Sequence, residues 1–260
     1  MKRGFGWLPP IEVRMPGHDE LRHMSDLAEV SDYCVAVAQY FKHNLGPSLV
    51  EVYKLGSLAH GGFSPAYSDI DLCLLMECAE APAEMAQVLA GAKELHPTYG
   101  KWLSVFWGNP AESWGRLPVL DRVDLLDHGA PMFSTHRPDF SRPDKASIRE
   151  ALLQSVEKSW GPNTKELSTL VELTPETQRP YVRCLLYPAR LIFSWDRFEI
   201  ASNDRAVAYL SEIAPAGLDL KPIQLALECR YNRDAAERLA PEHVSLAGQF
   251  ASATAYIRSH

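Results

Sequence analysis

The chain has 260 residues, of which 46% are apolar and 23% charged, and its 26 basic and 33 acidic side chains leave a net charge of -7. This composition excludes a disordered or fibrous chain, and the length is enough to bury a core without metal or disulfide staples. The acidic balance argues against a protein that tracks a phosphate backbone, so no nucleic-acid partner is expected.

The five cysteines are scattered, with no CxxC and no zinc-spaced cluster. Cys73, Cys184 and Cys229 sit in apolar runs and read as small core residues, free thiols in a reducing cytoplasm. After Met1-Lys2-Arg3 come Pro9-Pro10 and Glu12, where a secretory leader would be apolar. No stretch reaches the ~20 apolar residues of a membrane helix, so no membrane partner is expected.

Residues 1–22, rich in Pro, Gly and charge, read as an irregular arm. A helix is predicted from about Met24 to Asn44, with Val35, Val37, Ala38 and Phe41 as its apolar stripe and Gly46-Pro47 as its stop. Leu49 to Leu55 reads as a strand, Gly56 to Ser68 as a turn-rich link, and Ile70 to Met76 as a strand buried on both faces. A helix over Glu80–Leu95, a strand over Trp102–Trp107 and a short helix or turn over Asp121–Gly129 complete an alternating α/β segment.

After Pro143 helical periods take over. Helices are predicted over Lys145–Trp160, Thr164–Leu173, Glu176–Arg197, Asn203–Ile213, Pro222–Leu239 and Glu242–Arg258, with prolines falling between most of them. Pro188 is the exception and is expected to kink its helix. The expected organisation is an α/β domain over 23–140, a mixed sheet with flanking helices, followed by an all-α bundle over 141–260.

The chemistry is carried by Leu55-Gly56-Ser57 followed by Tyr67-Ser68-Asp69-Ile70-Asp71-Leu72. Residues two apart on a strand share a face, so Asp69 and Asp71 project together while Ile70 and Leu72 point into the core. Two adjacent carboxylates repel, and a divalent cation relieves that repulsion. Magnesium suits the count, because it binds through one or two carboxylates plus substrate phosphates. Gly56 permits close backbone approach, and Ser57 and Ser68 offer groups able to hold phosphate oxygens. Arg183, Arg190 and Arg197 are seven apart and share one helical stripe; facing a cleft, it would suit a triphosphate, and facing water it is a solvated basic edge.

This ordered segment, from Leu55 through Gly61-Gly62 and Pro65 to Leu72, resembles the signature of the nucleotidyltransferase superfamily with a DNA polymerase beta-like palm. More closely it is similar to the aminoglycoside 3''/9-adenylyltransferases, and Tyr181 to Phe193 is similar to that family's helical C-terminal part. The resemblance implies a magnesium-dependent transfer of AMP from ATP to a hydroxyl of a small, aminoglycoside-like acceptor. It implies Asp69 and Asp71 as catalytic metal ligands, Gly56, Ser57 and Ser68 at the nucleotide, and Arg190 as the ATP-binding arginine. A protein-adenylylating enzyme and a silent nucleotide-binding scaffold are the alternatives.

Two departures stand out. Ser104 occupies the place of the family's general-base glutamate, and serine does not take up a proton at neutral pH. Glu112, Asp121 and Asp124 lie downstream as replacements that the sequence does not separate. Asn203 stands near the family's nucleotide-binding lysine, with Arg205 as a stand-in. Trp107, Trp114, Trp160 and Trp195 could line an acceptor pocket, His60 could touch phosphate, and Asp196, Glu199, Glu228, Asp234 and Glu237 could meet an amine-bearing acceptor.

Overall fold

The computed structural model describes residues 18–78, 80, 82–109, 113–135, 139–241 and 244–260. Helix α1 spans His18–Leu45. Residues 18–22, expected in the arm, are therefore helical. The rest of the expected arm lies outside the described residues. A single 3-10 turn at Gly46–Ser48 ends α1, as the Gly-Pro pair predicts.

Strand β1 (Leu49–Lys54) leads through a short helix α2 (Ser57–His60) and a loop to β2 (Ile70–Met76). Helix α3 (Met85–Glu94) and β3 (Leu103–Asn109) follow, then β4 (Ser113–Arg116), α4 (Val119–His128) and β5 (Ala130–Pro131). The five strands form one mixed sheet in the order β4-β3-β2-β1-β5. Strand β2 sits at its centre, antiparallel to β1 and parallel to β3. Strands β4 and β5 and helix α2 escaped the sequence reading, because segments of two to four residues show no period.

Strand β2 is buried on both sides, as its apolar run predicts. Ile70, Leu72 and Leu74 join Val37 and Phe41 of α1 in one core, while Cys73 joins Tyr53, Leu55 and Leu125 in another. Asp71 therefore hangs from the stiffest part of the sheet.

The second half is helical, as expected. Helices α5 (Lys145–Ser155), α6 (Gly161–Leu167), α7 (Pro175–Arg197), α8 (Asn203–Ile213), α9 (Leu220–Cys229) and α10 (Leu246–Ser259) pack around α7. A π-helical turn at Val156–Trp160 joins α5 to α6. Helix α7 starts on a capping box at Thr174 with Pro175 at its first position, where a missing N–H costs nothing. It runs unbroken through Pro180 and Pro188. Most of its side chains are buried, including Tyr181, Leu185, Leu191 and Ile192, and at ~25 cal/mol per Å² of apolar area that burial outweighs a lost backbone hydrogen bond. The helix predicted over Pro222–Leu239 ends early at Cys229 and resumes as a 3-10 segment, Arg233–Arg238.

Candidate active site

Strand β1 ends at a sharp turn. Gly56 has φ 59 and ψ -147, a conformation costly for any residue with a Cβ. A Cβ built there would lie 2.7 Å from Asp71 Oδ2, so glycine is required on two counts. Its N–H donates to Asp124 Oδ2 at 2.6 Å, and Leu55 N–H donates to Asp71 O at 2.8 Å. The close approach that Gly56 permits is thus to the protein's own carboxylates.

The link to β2 is tied down by Ser68. Its Oγ accepts from Ser57 Oγ–H at 3.0 Å, from the Ser64 N–H at 3.0 Å and from Arg230 Nη2 at 2.9 Å. Arg230 Nη2 also donates to Gly62 O at 2.8 Å, and Ser64 Oγ donates to Arg230 O at 2.7 Å. Ser57 and Ser68 hold the turn together, and both line the small cavity beside it.

That cavity, of about 110 Å³, is lined by Gly56, Ser57, Ser68, Asp69, Asp71 and Arg190, so all six sequence-predicted site residues meet in one place. A second cavity of about 160 Å³ continues past Asp71 and Arg190 to Asp121 and Asp124. His60 lines both. Burial pushes the Asp71 carboxyl up to about 7, with the Asp69 and Asp121 charges adding to it. Asp121 is also pushed up to about 7, by burial and then by Asp124. The ring of His60 is held below its ordinary value, chiefly by burial.

Ser104 pairs with Asp71 across the β2–β3 register, which leaves β3 without an acid at that level. Of the three downstream acids, Asp121 and Asp124 both reach the cavity from α4, while Glu112 lies outside the described residues. Both line the cavity alongside Asp71 and differ in their partners: Asp124 accepts from the Gly56 N–H, and Asp121 from its own backbone N–H.

The arginine stripe divides. Arg183 and Arg190 face the site, but Arg197 turns away and lies over the Tyr209 ring at 4.9 Å. Two seven-residue steps drift by only ~40° but advance ~21 Å along the helix, so the third member lies beyond the site. Asp69 is gripped from α7. Arg183 Nη1 stands 2.7 Å from Oδ2, and Arg179 Nη2 donates to Oδ1 at 2.8 Å and to Ser68 O at 2.6 Å. Sequence reasoning missed Arg179 and Arg230. Arg179 is off the seven-residue stripe, and no local pattern marks Arg230.

Asn203 lines the small cavity, whereas Arg205 pairs with Glu199 at 2.8 Å and is not part of its wall. Trp160 lies against Tyr187 with ring centroids 4.3 Å apart and lines a larger cavity next to the site, joined there by Trp102, which the sequence reading passed over. Trp107 carries Arg116 and Trp195 carries Arg149; the side chain of Trp114 is outside the described residues. The acids suggested for an amine-bearing acceptor serve elsewhere. Asp196 accepts from Tyr209 and Tyr256, Glu228 pairs with Arg238, and Asp234 and Glu237 are exposed.

The residues fit a divalent cation of one kind. Among the described residues no three His, Cys, Asp or Glu side chains are grouped to hold a metal unaided. Asp69 and Asp71, a pair of hard-oxygen donors on one small cavity, fit magnesium, which takes its remaining ligands from water and phosphate.

The sheet order, the flanking helices and the helix-rich second half make this a nucleotidyltransferase fold. The chain is similar over 86% of its length to spectinomycin adenyltransferase AAD(9) from Enterococcus faecialis, solved with ATP and spectinomycin, of which it covers 99%, at a TM-score of 0.56 and 14% identity. No protein-family profile and no curated protein matches the sequence. No helix among the described residues is long and apolar enough to cross a membrane.

Proposed function

We propose that the protein is a magnesium-dependent adenylyltransferase that moves AMP from ATP to a hydroxyl of a small acceptor. The observation that carries this reading is the convergence of Asp69 and Asp71 with the Gly56–Ser57 turn and Arg190 on one cavity. Arg190 and Asn203 are assigned to phosphate oxygens, which a guanidinium binds through paired donors. Magnesium, when held by Asp69 and Asp71, supplies charge neutralisation at the α-phosphate.

The acceptor oxygen attacks the α-phosphorus, the bond to the bridging oxygen breaks, and pyrophosphate leaves. Ser104 cannot take the acceptor's proton, so we assign that proton to Asp121, which lines the cavity with Asp124 but is not the partner of the Gly56 N–H. The protein's remaining contribution is positioning and electrostatic stabilisation. The buried free thiols support a reducing, cytoplasmic setting.

One specific observation favours a second reading, a silent nucleotide-binding scaffold: both Asp69 oxygens are engaged by arginines while Ser104 replaces the acid of β3. Calorimetry with magnesium-ATP followed by transfer of labelled AMP separates the two. The enzyme reading expects saturable binding, label on a small molecule, and loss of metal-dependent binding in Asp69→Asn. Binding without transfer selects the scaffold; label on a protein band selects protein adenylylation; unchanged binding in Asp69→Asn removes the site from both small-molecule readings.

A further inference from the structure

Beside the small cavities lies a much larger one, of about 920 Å³, between the turn that precedes β3 and helices α6 and α7. It suits a small molecule, since ligand pockets run to roughly 300–1,000 Å³. It shares Arg183 with the cavity at Asp69 and Asp71, and Trp160 with the cavity at Asp121. The large cavity therefore adjoins both cavities that hold the carboxylate cluster.

Its wall has a definite chemistry. Trp102 and Trp160 supply flat apolar surface, and Trp102, 38% exposed, already has the Arg179 guanidinium 3.2 Å from its ring centroid. The inner wall is cationic. Arg179 is buried and Arg183 keeps 34% of its side chain accessible. Both spend donors on the same partner, Asp69, so two positive charges face one negative.

The cavity's own acids, Glu166 and Glu176, are exposed at its edge, and Glu176 is bonded to Thr174 at the start of α7. Of the acids suggested for an amine-bearing acceptor none lines this cavity: Asp196 is held by two tyrosines, Glu199 by Arg205 and Glu228 by Arg238, and Asp234 and Glu237 are exposed elsewhere. A guanidinium surplus at the inner wall, in a partly desolvated site, repels an ammonium group and attracts a carboxylate, phosphate or sulfate.

Resting on the adenylyltransferase reading above, we propose that the acceptor is a hydroxyl-bearing molecule with a planar apolar ring and an anionic group. The ring lies against Trp102 and Trp160, the anionic group pairs with Arg183, and the hydroxyl is turned towards the carboxylate cluster. The site is in this respect the opposite of one built for an aminoglycoside.

A charge series of nearly constant shape tests it. The probes are 3-(4-hydroxyphenyl)propionate, its neutral amide and tyramine, with spectinomycin as the polycationic reference. Each is titrated by calorimetry into the full chain saturated with magnesium and a non-hydrolysable ATP analogue. The expected order is carboxylate, then amide, then amine, with roughly tenfold or more between the ends, the worth of one charge-assisted hydrogen bond. Arg183→Gln should compress the series to within about threefold, and Trp160→Ala should weaken all three phenols together. Arg183→Lys, which keeps the charge, should preserve the order even if it lowers the affinities.

Equal or tighter binding of tyramine, a spectinomycin affinity above that of the carboxylate, or no saturable binding by any probe overturns the proposal. Failure of the ATP analogue itself to bind is a different result. It removes the adenylyltransferase reading, and the proposal with it. Label transfer to the phenolic oxygen, checked afterwards by mass, supports both.

Discussion

Gly56 is the residue on which the site's shape turns, because one atom more would push into Asp71. Gly56→Ala must adopt a left-handed φ, at ~1–2 kcal/mol, and must also displace the Asp71 carboxylate 2.7 Å away. The expected outcome is a loss of roughly 1–3 kcal/mol of stability in urea unfolding, together with weakened nucleotide binding in calorimetry. A variant with wild-type stability would show that the turn relaxes freely. Gly56, Ser57, Asp69 and Asp71 were legible in the sequence because they lie in one strand–link–strand segment, as two close pairs, one at a turn and one on a strand. Arg179 was not, because its bond to Asp69 spans 110 positions, and a lone arginine on a helix carries no mark of its partner. Asp121 and Asp124 were visible only as two of three equal choices, until α4 brought both against β2.

At the scale of elements, α7 is both the spine of the helical half and the arm that reaches the sheet. Its N-terminal third delivers Arg179 and Arg183 to Asp69, its middle delivers Arg190 to the cavity, and its far end leaves the site. Its start is set by Thr174, whose Oγ1 accepts from Thr177 N–H while Thr177 Oγ1 accepts from Thr174 N–H. Thr174→Ala should cost about 1 kcal/mol of stability in denaturant unfolding, the usual worth of an N-cap. The same change should loosen Arg179, so magnesium-ATP binding should alter more than a purely local loss of stability implies. Equal nucleotide affinity in the variant would separate the cap from the site. The boundaries of α7 were predicted to within a residue from its helical period and the proline before it, whereas its cap at Thr174 was not read. Pro188 lies buried inside one continuous helix, and how deeply it is buried could not be read from the sequence, because burial is a property of the neighbours.

Across the whole molecule, burial of tyrosine sets the response to alkali. Tyr33, Tyr53 and Tyr187, all buried, are pushed up to about 12, in each case first by burial. In the unfolded chain a phenol ionises near about 10. The stability these residues contribute is therefore fully present below about pH 10 and is lost as pH rises from there through about 12, where the unfolded state has released protons that the fold still holds. Base unfolding should fall in that window, with the phenolate absorbance rising together with the loss of helical circular dichroism. Phenolate appearing well before any loss of helix would show that these rings ionise in place.

The sequence by itself determined the elements and the local chemistry: an acid pair on a strand, a glycine turn before it, and helices punctuated by proline. These depend on periodicity and on neighbours along the chain, which any linear reading contains. Tertiary structure alone decided which groups surround the acid pair. It decided that Asp69 is shared by two arginines, that two acids of α4 line the cavity beside Asp71, that Arg197 drops out, and that the large cavity is walled by tryptophan and guanidinium. Those outcomes rest on contacts between positions far apart in sequence, where burial and charge are set by packing and leave no periodic trace.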